Sequence, residues 1–383
     1  MLRRILRGLQ EKQFVPTKEE IDSNEVKNLA NRLRGVTTKE TLTNVLEWQD
    51  RNLKFWEERW QTLEILVVII FLSISAISLF TRNIIVPLVL MPCFLFLLLC
   101  DKIFDFTFYL MSLFASLIFY ILLLASTVGS AAFTIANLIF VVSISLLLGA
   151  LVSLVASTMI KYKTIKRITP EFRIKDAFRL SLPVEKILKY RLSVCRDYAK
   201  LTSALLLNLY PENEHYFILI PNHVATAIKI NHKIYVLDQK LPILTFEKWK
   251  QKWCERFKKK NLKVGFIRII YDGIRVETKY TYHKGIGNAR EAKAIDTSKI
   301  VKDLKKKLGI KKLDSKTKGY LQITLPFKNY GDYYEEDDII EFSISESMKN
   351  KIEDELAGNV SKIRNLVITT KDRDFFLTVY CRL

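Results

Sequence analysis

Three short stretches of this 383-residue chain carry side chains that can do chemistry together. Val194-Cys195-Arg196-Asp197-Tyr198-Ala199 puts a thiol near the start of an apolar helical run. Unpaired N–H groups and the helix dipole at such a start favour an anion, and so a thiolate. Twenty-eight residues later, Asn222-His223-Val224-Ala225-Thr226-Ala227 places an imidazole where a strand begins. Fifteen residues further, Tyr235-Val236-Leu237-Asp238-Gln239 ends the next strand on a carboxylate. In a thiol–imidazole–carboxylate set the thiolate attacks, the imidazole moves the proton and the carboxylate fixes the ring. Taken singly, a helical cysteine is a small buried hydrophobe, and a histidine opening a strand is polar filling. The order Cys, His, Asp on helix, strand, strand is what points to catalysis. Cys254 has no histidine motif after it and reads as structural. His215 and His232 are the competing imidazoles, the latter in an expected turn.

The elements around these residues are legible. Ser193 is a good N-cap for a helix over Val194–Leu209, which Tyr210-Pro211 ends. Strand-like runs cover Tyr216–Ile220, Val224–Ile230 and Lys233–Leu237, with Asn231-His232 as a tight turn between the last two. Two antiparallel neighbours joined in that way hold His223 and Asp238 side by side, and the helix start has only to abut them. Val264–Tyr271 and Ile274–Tyr282 flank Asp272-Gly273, a hairpin signal. A helix followed by an antiparallel sheet is an α+β arrangement.

The Cys-Arg-Asp-Tyr-Ala helix start, the His-Val strand and the Tyr-Val-Leu-Asp strand resemble the transglutaminase-like core, a papain-type thiol fold, over roughly residues 180–245. The layout as a whole resembles membrane-bound transglutaminase-like proteins of archaea. The resemblance implies Cys195 as nucleophile, His223 as base and Asp238 as orienting carboxylate. Val194 stands where the family often has glycine, and Ala225 where an aromatic often follows the histidine; both departures bear on substrate fit.

Composition divides the chain. Residues 65–160 hold only four charges, Arg82, Asp101, Lys102 and Asp105, whereas residues 161–383 hold 46 Lys/Arg against 27 Asp/Glu out of a net +20. Apolar runs at Ile65–Phe80, Ile84–Cys100, Phe106–Ser126 and roughly Ala131–Met159 are expected to be four transmembrane helices. Lys and Arg flank both ends of the set, which places both termini in the cytoplasm of a multi-pass integral membrane protein. The expected domains are a helical region over 1–63, the spans over 64–160, a transglutaminase-like helix-plus-antiparallel-sheet domain over 161–290, a basic linker over 291–318, and a small α+β unit over 319–383. In the helical region, Leu42, Val45, Leu46, Leu53, Trp56 and Trp60 fall at helical spacing. The spans are read as an insertion, with Lys39–Trp60 packing back on the core. The last unit has expected strands near Tyr320–Pro326 and Asp338–Ile344, a helix near Glu346–Leu356 and a hairpin around Lys371–Asp374. A short helix over Thr297–Leu308 belongs to the linker, and Glu335-Glu336-Asp337-Asp338 reads as a solvated turn.

The function expected is a membrane-anchored thiol-dependent amide hydrolase or acyl-transferase, a cysteine peptidase of transglutaminase-like type working through a thioester. The alternative is an inactive tethered scaffold for a protein partner. Asn222 is a candidate oxyanion donor beside the Cys195 N–H. No cofactor or metal is expected, since no CxxC pair or EF-hand loop occurs. Expected partners are a protein or peptide substrate and, for the basic face, membrane lipid; no motif points to nucleic acid. Oligomeric state is open.

Overall fold

The computed structural model describes residues 14–55, 162, 165–177, 179, 181–221, 223–258, 261–271, 276–286, 295–310, 320–356 and 359–382. The chain divides into two compact units, Met1–Glu57 with Leu180–Leu383, and Glu58–Arg179. In the second, a short helix, α4 (Ile174–Ala177), carries Asp176, whose carboxylate pairs with Arg179 at 3.0 Å.

The first unit opens with α1 (Lys18–Asp22), α2 (Asn24–Leu33) and α3 (Thr38–Asn52). Reciprocal capping starts α3: Thr37 Oγ1 accepts from the Glu40 N–H, and Glu40 Oε2 accepts from the Thr37 N–H. The helix ends at Asn52, short of the expected Trp60, because the chain turns extended into β1 (Lys54–Phe55). β1 pairs in parallel with β2 (Leu192–Ser193), Lys54 opposite Leu192. Trp48 lies under the Arg191 guanidinium, 4.9 Å from ring centre, and Phe55 sits 6.5 Å from the Tyr198 ring. Residues 14–55 are thus tied to the segment that leads into Cys195.

After α5 (Val184–Tyr190) and β2 comes α6 (Cys195–Leu209), the central helix. Leu201, Leu205 and Leu206 on it are fully buried, each contributing about 1.5–3 kcal/mol of burial. Polar links fix its surroundings. Gln49 Nε2 donates to Thr202 Oγ1 at 2.6 Å, and Tyr198 OH donates to the Leu53 carbonyl at 3.0 Å. Glu20 Oε1 accepts from Lys200 Nζ at 2.8 Å and from the Val184 N–H at 3.0 Å.

Against α6 lies an antiparallel sheet of β3 (Glu214–Ile220), β4 (His223–Ile230), β5 (Lys233–Leu237), β6 (Leu244–Thr245), β7 (Asn261–Tyr271) and β8 (Val276–Ile286), in the order β6-β5-β4-β3-β7-β8. Asn231 and His232 both adopt left-handed φ, 48° and 67°, the twist that a two-residue hairpin requires. The expected Asp272-Gly273 turn lies outside the described residues. Helix α7 (Phe246–Arg256) packs on this sheet through Trp249 and Trp253.

The last part holds α8 (Ser298–Lys307), β9 (Tyr320–Phe327), α9 (Tyr330–Tyr333), α10 (Asp338–Leu356), a 3-10 turn (Asn359–Lys362), β10 (Ile363–Lys371) and β11 (Asp374–Arg382), with strand order β10-β11-β9. Three expectations are corrected here. Residues 298–307 are not a free linker: α8 packs on α10, where Lys307 Nζ meets Glu346 Oε2 at 2.8 Å and Ser345 Oγ at 2.7 Å. Residues 338–344 are helical and not a strand, because Asp337 Oδ1 accepts from the Ile339 N–H at 3.0 Å and so caps α10. The acidic run is not a solvated turn. Asp337 Oδ2 accepts from Lys233 Nζ and Tyr235 OH, both at 2.8 Å, and Glu335 accepts from Thr245 Oγ1 at 2.8 Å. The run clasps the β5–β6 end of the sheet.

The expected four-helix transmembrane region, with its multi-pass placement and cytoplasmic termini, is also corrected. Among the described residues no helix is long and apolar enough to cross a membrane. The longest described helix, α10, mixes buried Ile340, Ile344 and Ile352 with Glu341, Glu346 and Lys349. The four apolar runs themselves, with Trp56 and Trp60, lie outside the described residues.

Candidate active site

Cys195 is the first residue of α6, with Val194 in the capping position. Val194 has no side-chain acceptor, so the helix start is held from inside. Asp197 Oδ2 accepts from the Val194 N–H at 3.1 Å, and Oδ1 accepts from Ser181 Oγ at 3.0 Å and the Leu182 N–H at 2.8 Å. Asp197 is fully buried. The expected N-cap, Ser193, instead lies in β2. One turn on, the Ala199 carbonyl accepts from Thr226 Oγ1 at 2.7 Å, which pins α6 to β4.

That pin brings the sulfur to the imidazole. His223 opens β4, and its Nε2 lies 2.8 Å from Asp238 Oδ1, just past the end of β5. Cys195 lies close enough to the ring to help hold its pKa up. The other carboxylate oxygen, Asp238 Oδ2, accepts from Trp249 Nε1 at 2.8 Å. Trp253 covers the ring, its centroid 4.4 Å away at 32°, and Arg256 lies over Trp253 at 4.8 Å. Cys195 is 7 % exposed and the His223 side chain 10 %, so the approach to the sulfur is narrow.

The electrostatics follow from this enclosure. Burial alone pushes the His223 imidazole down, but the Asp238 carboxylate, their hydrogen bond and Cys195 outweigh it and hold the ring up at about 9. Burial pushes the Asp238 carboxyl up, yet His223, Lys252 and the Trp249 N–H leave it below its ordinary value. Both shifts favour an imidazolium–carboxylate pair at neutral pH.

The other candidates separate cleanly. Cys254 is buried, and burial pushes its thiol up. His215 is buried on the Tyr210 carbonyl at 2.8 Å, and burial pushes it down to about 4. His232 is exposed in its turn. Asn222 lies outside the described residues. Among the described residues no group of three or more His, Cys, Asp or Glu is placed to hold a metal ion. Sequence reasoning missed Trp249 and Trp253; their one signal was the i, i+4 spacing that puts both on one face of α7.

Trp249→Phe keeps the ring and removes one donor from Asp238. The carboxylate loses one of the two bonds that fix it, so the His223 titration is expected to shift and turnover to fall about tenfold with little change in fold, as for other groups that orient a reactive pair through a hydrogen bond. Histidine titration by NMR checks this, and an unmoved titration would show that Asp238 needs no second partner.

A family model described as a transglutaminase-like domain matches residues 24–90 and 151–267. Those stretches of the chain are similar to a transglutaminase-like domain. The matched residues take in α2, α3, Cys195, His223, Asp238 and both tryptophans, and stop before α8. The likeness points to the papain-like superfamily, in which such domains are usually cysteine hydrolases or transferases. The chain is also similar to a UPF0252 protein of Methanocaldococcus jannaschii, 32% identical over 206 residues, which are 52% of this chain and 55% of that protein. The chain thus spans about half the length of this curated relative. No solved structure matches it.

Proposed function

We propose that the chain is a thiol-dependent amide hydrolase or acyl-transferase with Cys195 as nucleophile, His223 as acid–base group and Asp238 as the orienting carboxylate. The observation that carries this is His223 hydrogen-bonded to Asp238 and close enough to Cys195 for the thiol to raise the ring's pKa. An inactive scaffold has no use for an imidazole held in that way. The Cys195 thiolate attacks the amide carbonyl and forms a C–S bond, and the backbone N–H at Cys195 stands at the helix start to meet the oxyanion. The His223 imidazolium gives its proton to the departing amine as the C–N bond breaks. The neutral ring then takes a proton from water or from an acceptor amine, which attacks the thioester and frees Cys195. A peptide or glutamine-type carboxamide meets these demands, and the narrow approach favours extended chains over folded surfaces.

Acid quenching during incubation with a peptide mixture, followed by mass spectrometry, tests this directly. An acyl adduct on the Cys195 peptide, labile to hydroxylamine, is expected; its absence across peptides and carboxamides would sink the reading.

The rate also has a direction with pH. The imidazolium is needed for the leaving amine, so kcat/KM holds until the ring loses its proton and falls as pH rises through about 9. The same group stabilises the fold fully below its unfolded value of 6.5, and that contribution is lost as pH rises through about 9. A kcat/KM that stays level from about pH 8 to about pH 10 would remove His223 from the proton transfer.

A further inference from the structure

A second site lies on the helical side of the same unit. Helices α2 and α5 pack together beside an open cleft of about 680 Å3. Charges of both signs line it. Glu25 is in the first turn of α2 and Glu185 in the first turn of α5; Arg32 is in the last turn of α2 and Arg191 caps the end of α5. Arg32 and Arg191 line the same cleft, and Arg32 adds to the lowering of the Arg191 pKa that burial begins. Among the described residues none of these four side chains forms an ion pair, whereas Lys189, also at the cationic end, has a contact of its own. Trp48 and Leu29 give the cleft an apolar wall.

Two guanidinium groups lining one cleft repel, and an anion bound between them removes the repulsion. The Arg191 guanidinium lies over the Trp48 ring, 4.9 Å from its centre, and its N–H groups can still grip a carboxylate. The spacing sets the length of the occupant. Glu25 and Arg32 are seven residues apart, about 10 Å along a helix. An extended peptide covers that distance in about three residues.

We propose that this cleft binds a short peptide of about three residues with both termini free. Its carboxylate is held by Arg32 and Arg191, its ammonium group by Glu25 and Glu185, and its middle side chain lies against Trp48. Arg191 directly precedes β2, which runs into Cys195, so an occupant touches the segment that carries the thiol. Occupancy does not require an active Cys195.

The test is calorimetric titration of the full chain carrying Cys195→Ala, which excludes turnover, with the tripeptide alanyl-leucyl-alanine. Binding is expected, with a loss of tenfold or more on N-acetylation and again on C-amidation. Arg32→Gln is expected to weaken the free peptide tenfold and leave the amidated one unchanged. Glu25→Gln does the same for the ammonium end, leaving the acetylated peptide unchanged. Arg191→Asn is a second check at the cationic end, since Asn tolerates the left-handed φ of 55° there. Thermal melts confirm that each variant is folded. No binding, equal binding of blocked and free peptides, or inorganic phosphate competing as well as the peptide would overturn the proposal. Binding that survives while no acyl-enzyme is found would remove the hydrolase reading and leave this one standing.

Discussion

Cys195→Ala and His223→Ala are each expected to lower amide turnover by about 10^3-fold or more, and the double variant to do little worse than either. The two residues act as one unit, since the thiolate has no partner without the imidazolium and the leaving amine has no proton donor. The same coupling is expected in a reaction that needs no substrate. Iodoacetamide modifies Cys195 rapidly at neutral pH in the native protein and at least about tenfold more slowly in His223→Ala. Cys254 and Cys381 are built-in references, because both are buried and burial pushes both thiols up. Peptide mapping by mass spectrometry reads all three at once. Unchanged labelling of Cys195 in His223→Ala would mean that His223 does not support a thiolate, and the catalytic reading would fail with it.

Asp197→Ala is expected to be the most damaging substitution outside the triad. Its buried carboxylate accepts from two backbone N–H groups and the Ser181 hydroxyl. Truncation leaves those donors buried without acceptors and opens a void beside the helix start. About 3–5 kcal/mol of stability is at stake. The first turn of α6 would lose its register, so catalysis should fall even where the chain still folds. Asp197→Asn keeps the volume and part of the hydrogen bonding, and it should recover much of the stability. Urea melts of both variants check the order. An Asp197→Ala protein within about 1 kcal/mol of the parent would show that the helix start is fixed by its apolar packing instead.

How much of this was legible in the sequence varies with the kind of signal. The α6 helix, the Asn231-His232 hairpin and the β3–β5 strands are written in local pattern, and the structure has them within a few residues. The proximity of Cys195, His223 and Asp238 could be argued because one short hairpin joins two of the three. What holds them could not be. Trp249 reaches Asp238 from α7, an element absent from the sequence expectations. The helix over 338–356 read as a strand at its start because Ile339 and Ile340 obscured a cap that lies one residue before it, at Asp337. The acidic run read as solvated because its cationic and hydroxyl partners, Lys233, Tyr235 and Thr245, are about a hundred residues away. The apolar runs over 65–160 read as membrane spans, and no described helix takes that form.

The pairing of β1 with β2 has a consequence for how the protein is made. Phe55 and Ser193 are strand neighbours, yet the ribosome must add roughly 140 residues between them, which takes roughly 10–30 s at ordinary synthesis rates. Throughout that interval the partners of Gln49 on α6, Thr202 and the Tyr198 carbonyl, have yet to be synthesised. The N-terminal helices therefore have to wait, exposed or chaperoned, until the segment that bears the thiol emerges and lets them close over it.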